Sequence, residues 1–180
     1  MTEPTRHVRE LPYTVRPMLP ADGPQVIAAF EHMSEASRRA RFFSPVPRIH
    51  AGMAADLTLI DDQRIVLIAV GDDGSVAAEA RAVRSRLDPS TAEVALTVLD
   101  AHQRQGLGTR LLRCLGSAAR EAGITRFVGH VLVDNVAARA LLDASGAARR
   151  VAEPGIYGFE IPLVPSSPRR EQPATLGRAS

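Results

Sequence analysis

The chain has no lysine: all 22 of its Lys-plus-Arg positions are arginine. These residues therefore carry no side-chain amine open to modification, and biased codon usage is a sufficient cause. Cysteine is nearly absent too. The single Cys114 cannot form an internal disulfide or assemble a thiolate metal site, and its place in a helical run points to packing. Five histidines, His7, His32, His50, His102 and His130, are scattered without ligand spacing, so no metal is expected. No apolar run is long enough to cross a bilayer and no signal peptide opens the chain, which predicts a cytoplasmic protein with no membrane partner. Aromatic residues make up only 4% of the chain and the net charge is +2. Apart from Arg38, Arg39 and Arg41 the arginines are dispersed, which argues against a nucleic-acid surface.

A chain of 180 residues suits one well-buried core. The polar ends, 1–12 and 164–180, lack periodicity and are expected to be mobile, leaving one domain over 13–163. Tyr13 to Arg16 is extended. Asp22 precedes Val26, Ile27, Phe30 and Met33 at helical spacing, and Ser34 caps a short helix through Arg41. Met53, Leu57 and Ile60 continue that period. The pattern then changes: Ile65 to Val70 is an apolar strand ended by the turn Gly71 to Gly74, followed by strands over 76–84 and 92–99. An amphipathic helix covers 107–122, stopped by Gly123. Phe127 to Val133 reads as a strand, Asn135 to Ser145 as a helix ended by Gly146, and Ile156 to Leu163 as a closing strand. Helices first, then a strand meander, then two strand-helix units make a mixed α/β order with part of the sheet antiparallel.

The loop Gln103-Arg104-Gln105-Gly106-Leu107-Gly108 lies between a strand and a helix. The first N–H groups of a helix lack partners inside it and carry its positive dipole end, so a small-residue loop there suits a phosphate. It is neither common phosphate loop. No Lys-Ser/Thr follows the second glycine, and Leu111 stands where a dinucleotide fingerprint has its third. An ordinary helix start is the competing explanation.

Several of these residues together resemble the GCN5-related N-acetyltransferases, over roughly 13–163: Arg16-Pro17 with Asp22, the strand Ala92 to Leu99, the loop 103–108, and Asn135 opening the helix that ends at Gly146. The resemblance implies a mixed sheet splayed between two parallel strands, flanked by helices, with acetyl-CoA in the gap. It places Leu96, Thr97 and Val98 against the pantetheine arm through their backbones, Arg104, Gln105, Gly106, Leu107, Gly108 and Thr109 on the pyrophosphate, and Asn135 near the thiol end. For Leu96 and Val98 the alternative is core packing, and for Asn135 a helix cap. More narrowly, Ser34 to Phe43, Asp61 to Arg64 and Ala92-Glu93 are similar to the bacterial protein lysine acetyltransferases of the Pat type. Some members of that group carry regulatory or synthetase-like extensions, whereas this chain looks like the stand-alone catalytic module.

That resemblance makes Glu93 the general base, which a substrate ammonium with a pKa of about 10.4 requires at neutral pH. A carboxylate opening an apolar strand is expected to be partly desolvated; a strand-end charge paired with an arginine is the alternative. His130, interrupting the strand 127–133, is the rival base. A backbone N–H near Leu96 to Val98 would stabilise the oxyanion. Leu142 stands where the wider family often has a tyrosine acid, and Tyr157 is the other candidate for inward reach. The acceptor is expected to be a protein lysine, with a small amine such as a polyamine or aminoglycoside, or a non-catalytic acyl-CoA sensor, as competing functions. A homodimer is left open.

Overall fold

The computed structural model describes residues 12–163, so the expected mobile ends, 1–12 and 164–180, lie outside the described residues except for Pro12. In chain order the elements are β1 (Tyr13–Pro17), α1 (Gly23–Glu31), α2 (Glu35–Phe42), α3 (Ala51–Thr58), β2 (Arg64–Gly71), β3 (Val76–Arg84), β4 (Thr91–Val98), α4 (Leu107–Glu121), β5 (Arg126–Leu132), α5 (Val136–Ala144), β6 (Ala148–Glu153) and β7 (Ile156–Pro162). The strands form one sheet in the order β1-β2-β3-β4-β5-β7-β6. Every neighbouring pair is antiparallel except β4 and β5.

Alternation along β3 shows how the sheet packs. Ala78, Ala80 and Ala82 point to one face and are at most 1% exposed. Small side chains there let α4 lie close, and its buried stripe of Leu107, Leu111, Leu115 and Ala119 meets them in the larger core. Glu79 and Arg81 point to the other face, with Val66 and Ile68 of β2 beside them in register. That face is covered by Val26 and Phe30 of α1, Met33, and Leu57 of α3. Arg81 is 3% exposed and fully engaged: it donates to the Asp56 and Leu57 carbonyls at 2.8 Å each and to Glu79 Oε1 at 2.5 Å. It thereby adds a donor to the Asp56 carbonyl, which also accepts from Leu59 N–H, and supplies one to the Leu57 carbonyl at the end of α3.

One element was not expected. β6 pairs with β7 along the sheet edge, and five of its six residues are exposed. An edge strand covered on neither face shows no apolar alternation, so the run Ala148 to Glu153 carried no pattern. The signal that was available is the Pro154-Gly155 turn that closes this hairpin, with Gly155 at φ +83°.

Candidate active site

After β4 the chain passes through a 3₁₀ turn, Asp100–His102, and reaches α4 with Gly106 at the N-cap. Gly106 has φ +83° and Arg104 φ +60°. Left-handed residues in such alternation turn successive N–H groups into one concavity. No side chain caps α4, and its first turn holds no acidic residue. Among the described residues, the N–H groups of Arg104, Gln105, Gly106, Leu107, Gly108 and Thr109 have no partner; Arg110 is the first to be satisfied, by the Gly106 carbonyl at 3.1 Å. The loop is fastened from outside. Tyr13 O–H donates to Gln105 Oε1 at 3.1 Å and lies 2.9 Å from His102 Nδ1, while Arg110 donates to the Tyr13 carbonyl at 2.9 Å. Gln105 thus turns its side chain toward β1 and leaves only its amide to the concavity.

The two glycines differ. Gly106 needs its left-handed φ. Gly108 is helical, and a Cβ there would stand 3.6–3.7 Å from Leu96, Leu141 and Val98, an ordinary contact. The protein's own packing therefore does not require a glycine at position 108.

β4 and β5 pair only over Thr91–Glu93 with Arg126–Val128, then separate. Backbone parity shows which groups face the gap. Leu99 N–H donates to the Ala77 carbonyl and the Thr91 carbonyl accepts from Ser85, so odd residues of β4 point to β3 and even ones to β5. The backbone groups of Leu96 and Val98 accordingly face the gap. The Thr97 backbone, expected there too, belongs instead to the β3 ladder. The Val98 carbonyl is already taken by Gln103 Nε2 at 3.0 Å, leaving the N–H of Val98 and both groups of Leu96. On the opposite lip the Val133 N–H points to the Gly155 carbonyl, so the even residues His130 and Leu132 face the gap. No sequence pattern distinguished these backbones. Close approach at the vertex is set by Gly129: a Cβ there would fall 2.7 Å from the Phe159 ring and 3.0 Å from the Val94 carbonyl.

Glu93 occupies the last paired position of β4, opposite Val128, and its side chain is exposed on the α1–α3 face. The expected desolvation is absent, because the neighbouring strand departs at the next residue. His130 follows Val128 on the same face, is also exposed, and meets the Phe43 ring edge-to-face at 6.5 Å. Arg41 of α2 lies among charges: burial pushes its pKa down, while Glu79, Asp56 and Glu93 oppose that shift. The Arg41 Nε and, among the charges acting on it, Glu79 Oε2 are buried without a partner among the described residues.

Asn135 caps α5, its Oδ1 accepting from Ala138 N–H at 3.1 Å. The Asn135 backbone N–H donates to the Leu132 carbonyl at 3.1 Å, and the cap leaves the side-chain Nδ2 available. Leu142 is 5% exposed and part of the core. Tyr157 pairs with Val131 and so lies on the face opposite Glu93, with the Arg139 and Arg149 guanidinium groups 5.8 and 5.7 Å from its ring. It does not reach toward Glu93. No group of three His, Cys, Asp or Glu residues converges among the described residues, and no described helix is long and apolar enough to cross a membrane.

A connection between α2 and the loop was not foreseen. Asp100 Oδ1 accepts from the hydroxyls of Ser34 and Ser37 at 2.9 and 2.6 Å, and Oδ2 from Ser34 N–H at 2.8 Å. Burial works to raise the Asp100 pKa, but these bonds outweigh it and hold the carboxyl below its ordinary value. Ser34 also caps α2, accepting from Ser37 N–H at 3.2 Å. The paired serines were legible as a motif; their partner, 63 to 66 residues away, was not.

Comparison with known proteins identifies the family. The profile of the Acetyltransferase (GNAT) family matches residues 28–147. Acetyltransferase Pat of Mycolicibacterium smegmatis is 32% identical over 155 residues, which cover 85% of this chain and 46% of that protein. The chain thus spans about half the length of this curated relative. The crystal structure of the GNAT domain of S. lividans PAT superposes with a TM-score of 0.78 at 31% identity, covering 83% of this chain and 90% of that one. The structure of yncA from Salmonella typhimurium with its cofactor acetyl-CoA, 22% identical and covering 87% of this chain and 97% of that one, shares the fold with a TM-score of 0.69. The chain belongs to the GNAT family of acetyl-CoA-dependent N-acetyltransferases, and its resemblance within that family is to the Pat type.

Proposed function

We propose that the chain moves the acetyl group of acetyl-CoA directly onto the ε-amino group of a lysine in another protein, with Glu93 as general base. What supports this reading most is the run of unpartnered amides from Arg104 to Thr109, leading to parted strands with the Glu93 carboxylate on the other face. Those amides fit a diphosphate: the donors converge, and no acidic side chain in the first turn of α4 opposes it. The free backbone groups of Leu96 and Val98 suit the amides of a pantetheine arm, as an added strand would. The side-chain Nδ2 of Asn135 would donate to the same ligand. When bound, acetyl-CoA supplies an activated thioester.

The protein's own residues then have two tasks. In this reading the Leu96 N–H would stabilise negative charge developing on the thioester oxygen. Glu93 takes the ammonium proton, directly or through one water, and its exposure lets that proton pass to solvent. Leu142, buried in the core, offers no acid, so coenzyme A would leave as its thiolate and take up the proton that the attacking nitrogen sheds. The likeness to Pat proteins favours a protein lysine as acceptor over a small amine.

Radiolabelled acetyl-CoA given to the protein with a host lysate, or with a panel of polyamines and aminoglycosides, tests the reading. Label on protein lysines is expected, and without lysine of its own the chain takes up none on its side chains. Label confined to small amines would overturn the protein-lysine reading. Glu93→Gln should lower kcat/KM tenfold or more, about 1.4 kcal/mol of transition-state stabilisation, with coenzyme A affinity retained; equal rates would remove Glu93 from its role.

A further inference from the structure

Helix α2 bridges the gap on the Glu93 face. Its N-terminal end is bound to the β4 side through Ser34 and Ser37 on Asp100, with Gln103 reaching back to the Val98 carbonyl. Its C-terminal end is bound to the β5 side, where Arg39 pairs with Asp134 at 2.9 Å and the Phe43 ring meets His130. Arg41 of α2 feels the Glu93 charge, so α2 lies near the carboxylate on this face.

Phe43 is the unusual residue of that bridge. It ends α2 with φ +58° and ψ +10°, a left-handed conformation in which glycine or asparagine is the ordinary choice and a bulky side chain is strained. The ring is 40% exposed, so core burial does not account for it. The strain is tied instead to one position, with the ring upright against the His130 imidazole at an interplanar angle of 89°. His130 is the next residue after Val128 on the face that carries Glu93. Ring, imidazole and carboxylate thus border the same mouth of the gap.

We propose that Phe43 and His130 form the slot that receives the unbranched alkyl chain of the acceptor lysine and delivers its ammonium to Glu93. A lysine stem is apolar along its length and charged at its tip. An exposed ring offers apolar surface to the stem and attraction to an approaching cation, and the carboxylate lies beyond it. The slot deepens the lysine reading and rests on it.

The test uses the wild-type chain, Phe43→Gly and Phe43→Leu with acetyl-CoA and an end-blocked lysine peptide, following acceptor KM, kcat, acetyl-CoA affinity and Tm. Phe43→Gly relieves the left-handed strain while removing the ring. It is expected to raise acceptor KM about tenfold, with acetyl-CoA affinity unchanged and Tm held within a few degrees, and Phe43→Leu to recover part of the loss. An unchanged acceptor KM in Phe43→Gly, with or without a fall in Tm, overturns the slot and leaves the lysine reading standing. A wild-type protein that acetylates small amines and no lysine peptide overturns both.

Discussion

Asp22 shows how one residue fixes the start of the domain. Arg16 donates to its two carboxylate oxygens at 2.7 and 2.8 Å, and Leu19 N–H adds a third bond at 2.7 Å. The Arg16 bonds, acting against burial, lower the Asp22 pKa from 3.8 to about 2. A folded-state pKa below the unfolded one means that the stabilisation is complete at neutral pH and is lost as pH falls through about 4 toward about 2. Because the Arg16 side chain is 34% exposed, solvent screening trims the contribution to the order of 1–2 kcal/mol. Asp22→Asn should therefore lower Tm by roughly 2–8 °C at pH 7, with the difference shrinking toward zero near pH 2 in thermal melts followed by circular dichroism. A difference independent of pH would deny the ion pair this role. Glu93 marks the limit of residue-level reading: the Ala92-Glu93 motif gave its address, but its exposure follows from where β5 leaves β4, and no local pattern encodes that departure.

At the scale of the element, the loop before α4 makes a sharper test because its two glycines do different things. Gly106→Ala forces a Cβ into a left-handed position and should cost about 1 kcal/mol in stability as well as weakening acetyl-CoA binding. Gly108→Ala meets only ordinary contacts and replaces the poorer helix former, so Tm should hold or rise while the acetyl-CoA dissociation constant rises severalfold. Isothermal titration calorimetry beside thermal melts separates the two; if Gly108→Ala left affinity unchanged, no ligand would pass over that residue. Most elements were legible because their apolar spacing is strong: the stripe Leu107, Leu111, Leu115 and Ala119 that defines α4 is the one that is buried. β6 was illegible for the opposite reason, since an exposed edge strand leaves no apolar trace. Backbone direction was illegible too. Thr97 and its neighbours look alike in sequence, and only pairing with β3 turns the Thr97 amide away from the gap.

At the scale of the whole molecule, the sheet divides labour between its faces. α4 lies on one face with the amide cradle at its N-terminus, and α1, α2 and α3 cover the other with Glu93, His130 and Phe43 near the gap. The two sides meet where β4 and β5 part, and the proposed reaction has a thioester held from one face attacked from the other. The order of elements gave away the mixed sheet, whereas the parting depends on contacts between residues more than thirty positions apart. The claim on which the rest stands is that the amides from Arg104 to Thr109 hold the diphosphate of acetyl-CoA. Titrating the ¹⁵N-labelled protein with coenzyme A and following each backbone amide by NMR tests it most directly. Saturable shifts that are largest from Arg104 to Thr109, with smaller ones at Leu96 and Val98, are the predicted result; saturable binding that leaves 104–109 unmoved, or no binding to folded protein, would contradict it.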